Sequence, residues 1–291
     1  MFDAYIYGIG KKEVAESGDI SALPFVQSRV MPHENYWRTC EIYAHQGFAG
    51  SSYNGAISNT IPALLEALKA GCDGMETDVR ETADGVAVIS HDETVSGTVN
   101  GEAVTRSVGS STLAELKEIL LGTSAVYGDI YICTLEELLQ VAAYTGMKIL
   151  AEIKATAAVA DTAKAVIRTG MQGKVTYMSD SANIWSQISA IDRKASFALV
   201  VFGYGTITDF STYTQHLTNN NSVSIDYTAS SDASPDFTNL IAAQDAGLSI
   251  DFWNFSGNTT KCLDINPKHI TINSNGVIQA VDNYIASKQS N

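Results

Sequence analysis

Two histidines and three carboxylates in this chain follow short apolar runs, and their types and spacing suit acid/base chemistry at a metal ion. His45 and His91 each follow a predicted strand, and Glu152 ends another. Glu76 and Asp78 are two residues apart on one predicted strand, so their side chains leave the same face of it. Three carboxylates without a nearby thiol favour a hard cation, Mg²⁺, Ca²⁺ or Mn²⁺, over zinc, and histidine titrates close to neutral pH. The pattern indicates a metal-assisted acid/base site.

Each of these residue types also has a structural interpretation. An isolated Glu-x-Asp pair is often only a solvated strand face, and a lone histidine at a strand end is more often structural than catalytic. Two such histidines beside a carboxylate cluster favour the catalytic interpretation. Lys154 lies two residues beyond Glu152 and projects to the same side, where it either meets a phosphate or neutralises the carboxylates. His33, His216 and His269 have no such neighbours in the pattern and are predicted to be structural.

The composition limits what such a site can be built into. The chain has 291 residues, of which 45% are hydrophobic, enough for an α/β barrel, which commonly takes about 250 residues. The formal net charge is -14, which opposes a role in nucleic-acid binding because phosphate backbones need clustered cations. The same charge repels an anionic substrate unless a bound cation reverses the local field. A phosphate-bearing substrate would therefore imply a metal.

The cysteines and the hydropathy of the chain bear on the cellular compartment of the protein. Cys40, Cys72, Cys133 and Cys262 form no CxxC pair, and we predict that they are reduced and structural. No apolar run approaches the ~18 residues of a membrane-spanning helix, and the first residues lack the basic region of a signal peptide. We expect a soluble protein, cytoplasmic or else exported if a signal peptide or parent segment has been removed. The pattern leaves the oligomeric state open.

The elements that would position the site alternate in type. From residue 41 onward, short apolar runs alternate with helical periodicity, which is typical of repeated βα units around a parallel sheet. The pattern predicts eight strands, at residues 42–44, 74–79, 86–90, 148–153, 174–178, 196–201, 222–226 and 248–253. It predicts helices between most of them, at residues 60–70, 135–143, 157–169, 181–191, 209–217 and 236–246.

The second and third predicted strands depart from this alternation. The short stretch that contains Ala83-Asp84-Gly85 separates them, and an Asp-Gly turn supports a tight connection better than a crossover helix does. A longer excursion follows, from residue 92 to about 133, with a predicted helix at 112–121. Eight strands with mostly helical crossovers favour a TIM (β/α)8 barrel over an open sheet. We predict a barrel domain at residues 41–291, preceded by an irregular leader at 1–40 with a short helix around 11–17.

In this order, the motifs resemble those of the glycerophosphodiester phosphodiesterase family, whose fold is a TIM barrel. The resemblance runs from about residue 42 to 272, and the family's motifs are H-R-G, P-E-N-T, E-x-D, D-G, H-D and E-I-K. Their counterparts here are His45-Gln46-Gly47, Ile57-Ser58-Asn59-Thr60, Glu76-Thr77-Asp78, Asp84-Gly85, His91-Asp92 and Glu152-Ile153-Lys154. No single motif is specific, but their order, spacing and strand placement together are.

The resemblance implies roles for these residues. It implies that Glu76, Asp78 and Glu152 bind a divalent cation, that His45 and His91 act as the acid/base pair, and that Lys154 contacts the phosphate. Trp253 stands at the end of the eighth predicted strand, where the family often carries a tryptophan that packs on glycerol carbons; a core tryptophan is the alternative.

Three departures from the family pattern bear on the substrate. Gln46 replaces the family's arginine, so a neutral amide replaces a charged, bidentate grip on phosphate. Ser58 replaces a glutamate, and the family's final Thr-Asp pair is missing from His269-Ile270-Thr271-Ile272-Asn273. The retained carboxylates and histidines argue for activity, and the altered grip argues for a changed substrate.

The implied activity is metal-dependent hydrolysis of a glycerophosphodiester to glycerol phosphate and an alcohol. The expected partner is a small or polymeric glycerol-phosphate diester, with no nucleic acid and no integral membrane segment. Two alternatives stay open. One is a non-catalytic or weakly active barrel that binds glycerol phosphate or teichoic acid, and the other is a lyase that stops at a cyclic phosphate.

Overall fold

The computed structural model describes residues 40–201, 207, 209–217, 223–229 and 237–289. The leader predicted at 1–40, with its short helix, lies outside these residues except for Cys40. The strands are β1 Glu41–His45, β2 Gly74–Glu81, β3 Ala87–Ile89, β4 Thr94–Val99, β5 Glu102–Ser107, β6 Gly122–Ser124, β7 Gly128–Ile130, β8 Lys148–Ile153, β9 Val175–Ser179, β10 Ser196–Val201, β11 Val223–Thr228, β12 Ser249–Phe255 and β13 His269–Ile272. The α-helices are α1 Ile61–Lys69, α2 Leu113–Lys117, α3 Leu135–Thr145, α4 Val159–Arg168, α5 Trp185–Ile191, α6 Ser211–Thr214, α7 Thr238–Asp245 and α8 Gly276–Gln289.

Eight parallel strands close into a barrel. Their order is β1-β13-β12-β11-β10-β9-β8-β2, and β2 pairs back with β1. Helices lie between consecutive barrel strands, and the main hydrophobic core fills the space between the barrel and these helices. The predicted TIM barrel is confirmed.

The strand prediction was wrong at two places. The segment predicted at 86–90 is β3, which pairs antiparallel with β2 and is not part of the closed barrel. The eighth barrel strand is instead β13, a four-residue strand that begins with a buried histidine and so lacks an obvious apolar signature. Trp253 therefore lies on the seventh barrel strand, β12, rather than the eighth. The closing helix α8 was not among the predicted helices.

The excursion after β3 forms a small unit with its own core. Two antiparallel hairpins, β4-β5 and β6-β7, flank α2. A capping box between Thr112 and Glu115 starts this helix, which is shorter than the segment predicted at 112–121. Val88, Val95 and Leu116 belong to a hydrophobic cluster separate from the barrel core. The cluster holds the excursion against β3, at the edge of the barrel mouth.

The β1–α1 connection is fixed by close packing. Gly47 has φ +74°, and a Cβ added there would lie 2.6 Å from the Ala63 Cβ. The N–H of Phe48 donates to the carbonyl of Ala63 at 3.1 Å. Because α1 is almost entirely buried, this loop is held rigidly over the end of β1.

The remaining expectations concern cysteines and hydropathy. All four cysteines are buried thiols outside any disulfide, as predicted. Across the part of the chain that the structure describes, no helix combines the length and apolar character needed to cross a membrane.

Candidate active site at the barrel mouth

Three carboxylates meet at the carboxyl ends of two neighbouring strands. Glu76 and Asp78 lie on β2, and Glu152 lies on β8, where it pairs in register with Asp78. One side-chain oxygen from each lies within 4.8 Å of the others. Three such groups repel one another unless a cation lies between them. The acidic cluster can hold a divalent cation, and the predicted metal residues are brought together.

The environment of Glu76 shows whether the residues present suit such an ion. Its side chain is 3% exposed, and its Oε1 is buried without a hydrogen-bond partner. Burial raises the pKa of Glu76 well above its ordinary value, and the charges of Asp78 and Glu152 raise it further. A buried carboxylate oxygen without a partner is costly. Together with an all-oxygen donor set, this orphaned oxygen fits a hard divalent cation.

Asp78 is positioned by two amides of the β1–α1 loop. Its Oδ2 accepts from Gln46 Nε2 at 2.9 Å and from Asn59 Nδ2 at 2.8 Å. The Gln46 backbone N–H also donates to Glu76 Oε2 at 3.1 Å. The side chain expected to contact substrate phosphate thus binds a carboxylate in this structure.

Asn59 is a positioning residue to which the sequence analysis gave no role. Its Oδ1 accepts from Thr77 Oγ1 at 2.8 Å and from the Asp78 N–H at 3.2 Å. Its own N–H donates to the Gln46 carbonyl at 2.8 Å, and its backbone has φ +58°. The signal was an asparagine just before a helix, a residue type that tolerates the left-handed conformation.

Lys154 lies among the carboxylates. Its Nζ is 2.7 Å from Glu152 Oε1 and 3.2 Å from Asp78 Oδ1. Burial alone would lower the pKa of Lys154, but the two carboxylates outweigh burial and raise it. Of the two alternatives, neutralisation of the carboxylates is the contact present here, and the phosphate contact stays a prediction.

His45 faces the carboxylate cluster from β1. Its Nε2 is 3.8 Å from Glu76 Oε2, and its Nδ1 is 2.8 Å from Asn273 Oδ1. Asn273 donates through Nδ2 to Asn254 Oδ1 at 3.1 Å. Since the Asn273 amide nitrogen is used in that bond, its oxygen accepts from the Nδ1–H of His45, and Nε2 is the ring nitrogen that faces the site. From the sequence, Asn273 was recognisable only as a departure from the family pattern, because its contact with His45 joins positions 228 apart.

His91 lies in the loop after β3. Its side chain is 55% exposed, and its Nδ1 is 2.8 Å from Asp92 Oδ1. Arg80 holds the loop by donating Nε and Nη2 to the His91 carbonyl at 3.0 and 2.9 Å. His91 lines a cleft of about 310 Å³ together with Gln46 and Asn59, the two residues that hold Asp78.

Trp253 lies on the wall of the barrel mouth. Its Nε1 donates to the Val201 carbonyl at 3.3 Å, and its side chain is half-buried. Its contact with glycerol carbons stays a prediction.

Known proteins resemble this chain in sequence and in fold. The model of the glycerophosphoryl diester phosphodiesterase family matches residues 45–258. A glycerophosphodiester phosphodiesterase of Caldanaerobacter subterraneus is 40% identical over 81 residues, which cover 28% of this chain and 30% of that protein. The matched segments span 30%, 50% and 29% of the lengths of three curated relatives.

Two solved structures share the fold. The glycerophosphodiester phosphodiesterase of Agrobacterium tumefaciens superposes with a TM-score of 0.63 at 24% identity, over 83% of this chain and 100% of that one. A phosphodiesterase of Oleispira antarctica, solved in complex with its product sn-glycerol-3-phosphate, superposes with a TM-score of 0.67 at 19% identity, over 83% of this chain and 96% of that one.

Proposed function

The chain belongs to the glycerophosphoryl diester phosphodiesterase family, and from this premise we propose that it hydrolyses a glycerophosphodiester to glycerol phosphate and an alcohol. The supporting observation is the acidic cluster, in which Glu76 Oε1 is buried without a hydrogen-bond partner. The other oxygen of Glu76, Oε2, is 3.8 Å from His45 Nε2. The sn-glycerol-3-phosphate named as the product of the Oleispira antarctica phosphodiesterase supports glycerol phosphate as the product here.

The proposed ligands of the cation are Glu76, Asp78 and Glu152, and the proposed ion is Mg²⁺ or Ca²⁺, with Mn²⁺ as a further candidate. When bound, such an ion withdraws charge from phosphoryl oxygens and lowers the pKa of a coordinated hydroxyl. Gln46 and Asn59 keep Asp78 in place for it.

The proposed chemistry divides proton transfer between the two histidines. His45, through Nε2, takes the proton of a neighbouring glycerol hydroxyl as that oxygen bonds to phosphorus. His91 gives a proton to the alcohol oxygen as its bond to phosphorus breaks. Water then opens the resulting cyclic phosphate to give the monoester. In this proposal Lys154 and Gln46 contact the phosphate, and Trp253 packs on the glycerol carbons.

The test is turnover of a diester panel, followed by phosphorus NMR with and without divalent ions. We expect hydrolysis to need an added divalent ion and to fall by about 10²-fold or more in His45→Ala and His91→Ala, as loss of a general acid or base does. Undiminished turnover in excess chelator would refute the metal role. Accumulation of a stable cyclic phosphate would instead establish the lyase alternative.

Gln46 supports the alternative of a barrel that binds glycerol phosphate without hydrolysing a diester. An arginine would contact phosphate through a charged, bidentate guanidinium, whereas the Gln46 amide is neutral and already donates to Asp78. Isothermal titration with glycerol phosphate separates the two functions. Tight binding without turnover of any diester would favour a binding barrel over an enzyme.

A further inference from the structure

A cleft of about 310 Å³ lies beside Asp78, and its lining bears on which alcohol the substrate contains, an inference that rests on the proposed function. Its volume is near the lower end of small-molecule sites, which span roughly 300–1,000 Å³, so it suits one small alcohol group. Its polar lining comes from the β1–α1 loop, the end of β3 and the loop after it, and β4: Gln46, Ser58, Asn59, Ser90, His91, Asp92, Thr94 and Ser96.

The cleft lies on one side of the reacting centre. Gln46 and Asn59 line it and donate to Asp78, and His91 lines it as well. His45 is not among its lining residues and is instead held by Asn273. The departing alcohol would thus lie beside His91, whereas the glycerol phosphate would lie on the His45 side.

The chemistry of the lining selects the alcohol. Among the described residues that line the cleft, none is Lys, Arg, Phe, Tyr or Trp. A quaternary ammonium is recognised chiefly by aromatic faces, which this lining does not offer. The single carboxylate, Asp92, is 2.8 Å from His91 Nδ1. The aliphatic side chains of Ile57 and Val95 form part of the wall and suit a carbon skeleton.

We propose that this cleft is the subsite of the leaving alcohol, and that it takes a neutral, polyhydroxylated alcohol such as glycerol or a cyclitol rather than choline or ethanolamine. The hydroxyls of Ser58, Thr94 and Ser96 and the amide of Gln46 are the hydrogen-bonding groups of this subsite. These four groups are uncharged, and the carboxylate of the lining, Asp92, is engaged by His91 Nδ1 at 2.8 Å. The subsite therefore favours hydroxyl groups on the alcohol over a positive charge.

The first test compares diesters that share glycerol phosphate and differ only in the alcohol. With a divalent ion present, we expect kcat/KM for glycerophosphoglycerol and glycerophosphoinositol to exceed that for glycerophosphocholine and glycerophosphoethanolamine by about tenfold or more, the effect of one to two hydrogen bonds. Equal values, or a preference for either ammonium diester, would overturn the proposal.

The second test removes hydroxyls from the cleft. The double variant Ser58→Ala with Ser96→Ala should lower kcat/KM for glycerophosphoinositol, mainly through KM, by about three- to tenfold more than it lowers kcat/KM for glycerophosphocholine. Thr98→Val is the matched control, since Thr98 lies on β4 but not in the cleft. Equal losses on both diesters in the double variant would refute selection by these hydroxyls.

A third measurement keeps the inference separate from the proposed function. In a sample labelled at isoleucine and valine methyls, myo-inositol alone should shift the signals of Ile57 and Val95, and choline at the same concentration should not. If no diester were hydrolysed, the proposed function would fall and these shifts would still decide the chemistry of the cleft. Shifts with choline and none with inositol would overturn the inference even in an active enzyme.

Discussion

Gln46 shows how one residue can contact two members of the carboxylate cluster. Its backbone N–H donates to Glu76 and its side-chain amide to Asp78. The left-handed backbone at Gln46, φ 55°, accompanies this double contact. A residue expected from the sequence to meet phosphate thus also holds the metal ligands, a role visible only when β1 and β2 are side by side.

Gln46→Ala should therefore weaken metal binding itself. Loss of an outer hydrogen-bond partner of a ligating carboxylate typically costs 10- to 100-fold in metal affinity, and we expect about tenfold here because Asn59 still binds Asp78. Titration with Mn²⁺ followed by electron paramagnetic resonance measures this without substrate. Gln279→Ala, on the exposed face of α8, is the control. Unchanged Mn²⁺ affinity in Gln46→Ala would contradict the positioning role.

At the residue scale, the sequence predicted the types and the convergence of the site but not its supports. The carboxylates were recognisable because they lie at strand ends with a period of two. Asn273 was not, because its contact with His45 depends on the pairing of the first and last barrel strands. Such contacts arise from barrel closure, which no local pattern encodes.

At the scale of elements, the β1–α1 loop is the piece that sets the site. It carries both amides that bind Asp78, and it is packed on α1 at Gly47. The glycine and the helix were both visible in the sequence. Their contact was not, since it depends on how closely α1 approaches the end of β1.

Gly47→Ala should destabilise the protein more than the matched change Gly85→Ala. Both glycines have similar left-handed φ, +74° and +79°, but a Cβ at Gly47 would lie 2.6 Å from Ala63, and one at Gly85 would meet nothing within 4 Å. Backbone strain costs about 1–3 kcal/mol at either position, and overpacking adds about 1–3 kcal/mol at Gly47 alone. Urea unfolding measures the difference. Equal losses of unfolding free energy in the two variants would show that the β1–α1 loop can shift to accommodate the added methyl group and does not fix Asp78.

At the scale of the whole molecule, the fold was predictable and one barrel strand was misassigned. The alternation of strands and helices gave the barrel, because each βα unit has a period that can be read locally. β3 was counted in place of β13, since an apolar hairpin strand has the same local pattern as a barrel strand. The error concealed a second polar layer, because β13 carries His269.

His269 is buried between two aspartates, consistent with the structural role expected for it. Its Nδ1 is 3.1 Å from Asp251 Oδ2 and its Nε2 is 3.8 Å from Asp226 Oδ2. Neither Asp226 oxygen has a hydrogen-bond partner. The three side chains lie at matching positions of β11, β12 and β13, so the barrel interior holds titratable groups away from the acidic cluster.

This layer should make stability depend on pH. Burial raises the pKa of Asp226 to about 6 from its ordinary 3.8, so the folded protein holds this proton more tightly than the unfolded chain does. Burial would lower the pKa of His269, but the carboxylates of Asp251 and Asp226 outweigh burial and raise it. For both groups the stabilisation is complete below the unfolded pKa and is lost as pH rises through the folded one. The free energy of unfolding should therefore fall between about pH 4 and 7, by on the order of 3 kcal/mol from Asp226.

The variant Asp226→Asn tests this prediction because its side chain cannot ionise. Urea unfolding across this interval should show a smaller fall in the free energy of unfolding than in wild type. Asp129→Asn, an exposed change, should reproduce the wild-type fall. An undiminished fall in Asp226→Asn would mean that the pH dependence arises elsewhere, for example at Glu76 or Glu81, whose raised pKa values give the same sign.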